Sequence, residues 1–355
     1  MIILGIETSC DETAMTVLKI KNGKNPVFSI LSNIVSSQIE LHQKYGGVYP
    51  FLAKREHQKN LPLVFKQALQ KAKTPISKID LIATTSGPGL EPCLWTGVNF
   101  GKEIAKKNNL PIVAVNHIEA HILINWLQST DKKNQFKKIK INFPAVCLVV
   151  SGGHSQLVLI EKFKKYKIIG ETRDDAAGEC FDKTARILGL GYPGGPKIAA
   201  EASKFSDSDN RFSIKLPRPM IYQKNYDFSF SGLKTSVLYD FKKRKLSEKK
   251  SKKYIQAMSK EIEQAIIDVL IHKTIKAAKD NNAKTIMLAG GVSANKELGR
   301  QFKKAVQKKS EKTCFLKPNI EFSTDNAFMV AVAGYFNKNK KTNWKKVKVN
   351  ANLKI

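Results

Sequence analysis

Apolar runs recur along the chain, each closed by a cluster of small or polar residues. Ile2-Ile3-Leu4-Gly5-Ile6 leads into a polar turn from Glu7 to Thr13, and Ala14 to Leu18 is apolar again. Runs of this length bounded by turn residues predict two strands around a turn. A helical stretch is expected over 52–73, then a buried strand at 79–85 ending in Ser86-Gly87-Pro88-Gly89-Leu90. Glycine and proline there enforce a sharp turn. Helices over 96–108 and 116–128 flank a short strand at 111–115. The lysine-rich segment 129–142 lacks apolar periodicity and reads as a linker.

The alternation then restarts. Ala145 to Val150 is a strand, Ser151-Gly152-Gly153-His154-Ser155 a turn, and Gln156 to Ile160 the returning strand. A helix near 178–189, a Gly/Pro loop at 191–196 and a long helical region over 252–280 follow. Thr285 to Ala289 forms a strand that runs into Gly290-Gly291-Val292-Ser293 and a helix; an apolar helix over 326–336 and a Lys/Asn-rich tail, 337–355, close the chain. Strands interleaved with helices imply an α/β fold. Two halves that each open with a hairpin around a small-residue turn point to duplicated lobes. The first would take 1–128 with 325–355, and the second 143–324.

Composition narrows the class. Hydrophobic residues at 42% supply a sizeable core, which excludes global disorder. The net charge of +31 favours an acidic partner such as nucleic acid or an anionic surface. Yet only seven of the 61 basic residues are arginine, the side chain that grips phosphate bidentately. A lysine excess spread through every segment fits compositional drift equally well. No run approaches the length of a membrane helix, about 18 apolar residues. Asp11 and Glu12 in the amino-terminal stretch argue against a signal peptide. Five widely spaced cysteines without a CxxC pair form neither a disulfide framework nor a zinc ribbon. The expectation is a soluble, reduced, cytoplasmic protein with no membrane association.

Three turns have the makeup of anion-binding loops. Thr8 to Thr13, Ser151 to Ser155 and Gly290 to Asn295 each follow an apolar strand, and glycines let backbone N–H groups approach phosphate. None is a Walker A loop or a GxGxxG fingerprint. His117-Ile118-Glu119-Ala120-His121 is sharper, since residues four apart share one face of a helix and can meet one metal ion. Its glutamate sits on another face, which excludes the zincin arrangement. Two imidazoles need a further ligand. Asp325 is the candidate, with the helix N-cap as its other reading. Two histidines and a carboxylate suit Fe(II), and zinc is nearly as acceptable. A third set is acidic: Asp11 and Glu12 in the first turn, and Asp174, Asp175, Glu179 and Asp182 in one segment, where Glu179 and Asp182 could equally favour a helix start.

Eight motifs in order identify a resemblance. Ile6 to Thr13, Ser86 to Leu90, Asn116 to His121, Val150 to His154, Gly178 to Lys183, Tyr192 to Pro196, Asp227 to Thr235 and Ser323 to Ala327 resemble those of the universal tRNA N6-adenosine threonylcarbamoyltransferase family in its bacterial form (TsaD). The resemblance implies two RNase H-like lobes of the actin, sugar kinase and heat-shock chaperone (ASKHA) superfamily around a nucleotide cleft. It implies transfer of threonylcarbamoyl from threonylcarbamoyl-AMP to N6 of adenosine 37 in tRNAs reading codons that begin with A. By motif, His117, His121 and Asp325 would hold the metal, Fe²⁺ with Zn²⁺ possible in its place. Val149, Val150, Ser151, Gly152, Gly153, Asp182, Gly195 and Asn295 would line the donor site, and Asp11 and Glu12 are the candidate proton acceptors. Many relatives carry Asp where Ala199 stands, so one ribose contact differs here. Implied partners are tRNA, a TsaB-type paralogue and a TsaE-type P-loop ATPase, with donor from a separate synthase (TsaC). A small-molecule kinase or ATPase of the same superfamily is one alternative, disfavoured by the histidine pair because Mg²⁺ prefers oxygen ligands. A non-catalytic scaffold is the other, and it would show lost motifs.

Overall fold

A computed structural model describes residues 1–206, 212–309 and 313–355. The chain divides into two units, Met1–Lys140 with Thr324–Ile355, and Ile141–Ser323.

In the first unit, Ile2–Glu7 (β1) and Glu12–Lys21 (β2) pair antiparallel around the expected turn, Ile2 opposite Lys19 and Glu7 opposite Ala14. Val27–Ser37 (β3) adds antiparallel to β2. The apolar pattern does not announce β3, because Ser29, Ser32, Asn33, Ser36 and Ser37 break it. After α1 (Ile39–Gln43) and α2 (Pro50–Ala72), Leu81–Gly87 (β4) lies parallel to β1. After α3 (Glu91–Asn108), Ile112–Asn116 (β5) lies parallel to β4, and α4 (His117–Leu123) follows directly.

The segment expected as a linker is part of this sheet. Leu127–Ser129 (β6) and Gln135–Lys138 (β7) form a hairpin whose second strand pairs with β3. One apolar side chain decides it: Phe136 is buried against Phe328, ring centroids 5.1 Å apart. The first unit therefore runs to Lys140 rather than ending at 128, and the helix expected over 116–128 stops earlier, at β6.

The second unit opens with Ala145–Val150 (β8), Ser155–Lys162 (β9) and Lys165–Glu171 (β10), a three-stranded antiparallel meander. Helices α5 (Ala177–Ile187), α6 (Gly194–Ala202), α7 (Ser231–Lys243), α8 (Leu246–Lys249) and α9 (Lys252–Asp280) lead to Thr285–Ala289 (β11), parallel to β8. After α10 (Lys296–Lys309), Cys314–Leu316 (β12) closes the sheet parallel to β11. The strand orders are β5-β4-β1-β2-β3-β7-β6 and β10-β9-β8-β11-β12. Setting the β6–β7 hairpin aside, both sheets place their third, second, first, fourth and fifth strands in that sequence, with the same directions. The duplicated hairpins of the sequence are thus the visible part of a duplicated five-stranded topology.

The chain returns to the first unit through α11 (Ala327–Phe336), which is almost wholly buried against β1, β2 and β4. Gly5 makes this possible, since a Cβ there would stand 2.4 Å from the Ala327 carbonyl oxygen. The polar tail does not trail away. Thr342 exchanges backbone hydrogen bonds with Ile112, Val347 is buried, and the Asn350 N–H donates to Ser86 O at 2.9 Å. Among the described residues, no helix is long and apolar enough to cross a membrane.

Candidate metal centre and glycine-rich loops

Ligands in open α/β sheets gather beyond the carboxyl ends of the parallel strands. In the first unit those ends are Glu7 on β1, Gly87 on β4 and Asn116 on β5. The Asn116 side chain accepts from the Glu119 N–H at 3.0 Å and caps α4. Helix α4 thereby starts at His117 and sets both histidines on one buried face, their rings 4.6 Å apart. Asp325 arrives from the start of α11. The cap of that helix is Asn326, which accepts from the Met329 N–H at 3.0 Å, so the N-cap reading of Asp325 falls away. Asp325 Oδ1 lies 3.0 Å from His121 Nε2 and 3.5 Å from His117 Nε2. One donor atom from each of the three residues falls within 4.8 Å of the others.

A buried carboxylate stands behind the pair. Glu7 Oε2 is 3.2 Å from His117 Nδ1 and also accepts from Thr85 Oγ1 at 2.7 Å, while Glu7 Oε1 accepts from the Ser9 N–H at 2.6 Å. A carboxylate facing Nδ1 holds a proton there, so that once the ring is neutral its Nε2 lone pair is directed at the Asp325 side. Burial opposes charge on His117, but Asp325 and Glu7 outweigh it and raise the imidazole to about 9. Burial likewise works against the Glu7 carboxylate, and His117 beside it holds it below its usual range. Burial pushes His121 the other way, toward the neutral ring. Two imidazole nitrogens and a carboxylate oxygen, with one ring oriented by a second carboxylate, fit a divalent transition metal such as iron or zinc.

The first turn sits beside this cluster. Asp11 is buried with Oδ2 lacking a hydrogen-bond partner, whereas Glu12, at the start of β2, is partly exposed. Burial, then Asp11 and Asp325, push the Glu12 carboxyl well above its ordinary range.

In the second unit, the predicted loops meet at the carboxyl ends of β8 and β11. Gly290 adopts φ +85°, and a Cβ there would stand 2.5 Å from the Val150 carbonyl oxygen. At Gly178 a Cβ would meet Ser151 O at 2.6 Å, so 150–153, 178 and 290 pack backbone to backbone. Val149 and Val150 end β8 in the core, while Gly152 and Gly153 face open space. Two polar residues expected at the donor are engaged locally. Asp182, inside α5 rather than at its start, accepts from the Gly194 N–H at 2.6 Å, next to Gly195. Asn295 caps α10 through Leu298 N–H at 2.8 Å and donates to Glu263 at 2.8 Å. Their side chains shape the loops, leaving backbone N–H groups as the donors that a phosphate would meet.

A family model described as TsaD: tRNA N6-adenosine threonylcarbamoyltransferase matches residues 29–332. The chain belongs to this family. Relatives named tRNA N6-adenosine threonylcarbamoyltransferase include that of Thermosipho melanesiensis, 48% identical over 94% of both chains. That of Syntrophomonas wolfei is 44% identical over 94% of this chain and 92% of its own. The protein is thus an acyltransferase of tRNA modification. Crystal structures of HypF share the fold alone: full-length HypF in the phosphate- and nucleotide-bound form superposes with a TM-score of 0.55 at 12% identity, covering 95% of this chain. The chain spans about half of that protein, 46% of its length. The likeness agrees with the α/β fold class expected from the sequence.

Residues that the pattern reading passed over hold the transferase's first turn. His57 Nε2 lies 3.0 Å from the Cys10 carbonyl, so Nε2 carries the proton and Nδ1 accepts, from Thr13 Oγ1 at 2.8 Å and Gln38 Nε2 at 3.3 Å. Gln38 Oε1 then accepts from His42 Nε2 at 3.1 Å. Both imidazoles are fully buried, and burial lowers each below its usual pKa. The ring of His57 thus bridges residues 10 and 13 and brackets Asp11 and Glu12. Glu7 was likewise passed over, though it ends an apolar strand as an isolated acid, a signal that could have singled it out.

Proposed function

We propose that this protein transfers the threonylcarbamoyl group from threonylcarbamoyl-AMP to N6 of adenosine 37 in tRNAs reading codons that begin with A. The observation that carries the reading is the convergence of His117, His121 and Asp325, backed by Glu7, beside a turn bearing two carboxylates. The adenine amine is a weak nucleophile, because its lone pair is delocalised into the ring, so positioning and charge stabilisation must supply the rate. A metal held by His117, His121 and Asp325, iron with zinc as the substitute, would supply charge neutralisation for the donor's oxygens. Backbone N–H groups of Ser151 to Gly153 and of the Gly290–Asn295 turn bind the adenylate phosphate. The bond from N6 to the carbamoyl carbon forms as the carbon–oxygen bond to AMP breaks. Glu12 takes the amine proton, and AMP departs with the bonding pair. The assignment favours Glu12 over Asp11 because it is the less buried carboxylate of the two.

In this reading the protein works in the cytoplasm with tRNA, a TsaB-type paralogue and a TsaE-type P-loop ATPase. The test is to incubate it with tRNA, preformed donor and these partners, then digest the tRNA and examine its nucleosides by mass spectrometry. Threonylcarbamoyladenosine is expected with donor and absent with ATP alone. Phosphoryl transfer to a small molecule, with unmodified tRNA, would replace this reading by a kinase.

A further inference from the structure

Helices α9 and α10 and the 218–222 loop border an open groove of about 1170 Å³ in the second unit, lined by none of the residues assigned above. Its floor is apolar, from Ile271, Ile275 and Ala305, and its rim carries Lys276, Lys279 and Lys308. Tyr222 stands at the mouth, 86% exposed, edge-on to the ring of His272 at 5.6 Å. The loop that presents it is fastened from below. Lys273 is fully buried and donates to the carbonyls of Gln223 at 3.2 Å and Asn225 at 2.8 Å.

The acids of the groove are already matched. Asp268 accepts from Arg218 at 3.0 Å and Gln264 at 2.7 Å, and Asp280 accepts from Lys276 at 2.9 Å and Tyr226 at 2.8 Å. Lys279 and Lys308 therefore leave the rim positive. The groove also has a direction. Glu263 and Asn295, bonded to each other at the glycine-rich loops, lie on or next to the same two helices, and Asp268 and Gln301 follow within two turns. From Asp268 to Asp280 the groove runs for about 18 Å at 1.5 Å per residue, room for several successive phosphates.

We propose that this groove is a second contact site for the tRNA substrate, with Lys279 and Lys308 on backbone phosphates and an unstacked base on Tyr222. An exposed aromatic flanked by lysines is the arrangement that holds single-stranded nucleic acid by stacking and phosphate contact together. A rim whose exposed cations are lysines, its one arginine being held by Asp268 and Glu261, suits backbone charge rather than base-edge reading. The site rests on the tRNA reading above and extends it, since it anchors the strand leading away from the loops where the donor would sit.

The test measures tRNA affinity over a salt series for the full chain in its assembly. The groove variant is Tyr222→Ala/Lys279→Ala/Lys308→Ala. A matched control, Tyr239→Ala/Lys242→Ala/Lys243→Ala, removes the same side-chain types from α7. The groove variant is expected to weaken tRNA binding by at least about tenfold and to flatten the slope of log affinity against log salt by about 1.4, two phosphates at 0.7 each. Its rate at saturating tRNA and its KM for donor should match the wild type, and the control should bind within twofold of it. Equal affinity and slope in wild type and groove variant would overturn the site and leave the transfer reading intact. So would equal losses in groove variant and control, or unchanged tRNA binding with lost retention of the paralogue, which would make the occupant a protein. Failure of the wild-type assembly itself to bind tRNA would overturn the transfer reading together with the site.

Discussion

Replacing Glu7 by Gln tests how the metal centre is oriented. Glu7 is fully buried and offers two oxygens to three donors, Ser9 N–H, Thr85 O–H and His117 Nδ1–H. Gln keeps one oxygen and adds an N–H, so with the oxygen on Ser9 the amide donor faces His117. The imidazole is then driven to the other tautomer, with its proton toward Asp325 and its Nε2 lone pair lost as a ligand. Removing such a supporting carboxylate costs about 10- to 100-fold in metal affinity, or about 1.4 to 2.7 kcal/mol. A second effect opposes it near neutrality. With His117 raised to about 9, a metal ion entering at pH 7 must displace a proton, at a cost of a few kcal/mol. Loss of the Glu7 charge lowers that barrier, so the comparison belongs at several pH values. The wild type should gain about tenfold in affinity per pH unit from about 6.5 toward 9 and then level off. Glu7→Gln should level off at lower pH and at a plateau 10- to 100-fold weaker. Competition against a chromophoric chelator measures both curves, with Thr85→Ala as a control that removes a bond to Glu7 without turning the imidazole. Superimposable curves for wild type and Glu7→Gln would refute the reasoning.

The metal-free protein should also show the His117 shift as stability. A folded-state pKa raised above the unfolded value gives stabilisation that is full below about 6.5 and lost as pH rises through about 9, on the order of 3 kcal/mol from this group. Urea unfolding between pH 6 and 9.5 reads it, and His117→Gln should flatten the profile. Glu12→Gln should slow single-turnover transfer from preformed donor by about 10²- to 10⁴-fold, and Asp11→Asn by less; equal rates in both variants and the wild type would remove the general-base assignment. His57→Phe leaves the Cys10 carbonyl, Thr13 hydroxyl and Gln38 amide without their shared partner, at about 1–3 kcal/mol per unsatisfied group, so a lowered urea midpoint is expected; an unchanged midpoint would show that the turn is held by other contacts.

Much of the candidate site was legible because its chemistry is local in sequence. The spacing of His117 and His121 is a helix face, and the glycine turns follow apolar strands. Asp325 could be matched to the pair by side-chain type but not separated from an N-cap, because that distinction needed the position of Asn326 relative to α11. Gln38, His42 and His57 were not legible, and Glu7 showed only as an acid closing an apolar strand. Their roles come from distances across strands and helices, 110 residues apart for Glu7 and His117. Asp182 and Asn295 lie at these loops, where Asp182 accepts from the Gly194 N–H and Asn295 bonds Leu298 and Glu263. In the fold, β3 and β7 escaped notice because each carries few buried apolar residues and depends on a neighbouring strand for its pairing. The tail hid a similar dependence: its buried contacts rest on Val347 and on backbone bonds to Ile112 and Ser86, which leave no periodic trace.

The central claim is that the His117, His121 and Asp325 cluster carries threonylcarbamoyl transfer to tRNA adenosine. It is tested most directly by one paired measurement on the purified assembly: bound metal per chain, and single-turnover transfer of labelled threonylcarbamoyl from preformed donor to tRNA. The wild type should hold about one metal per chain and place label on adenosine. His117→Ala/His121→Ala should lose both together while retaining its fold. A variant without metal that still labels adenosine at the wild-type rate would contradict the account.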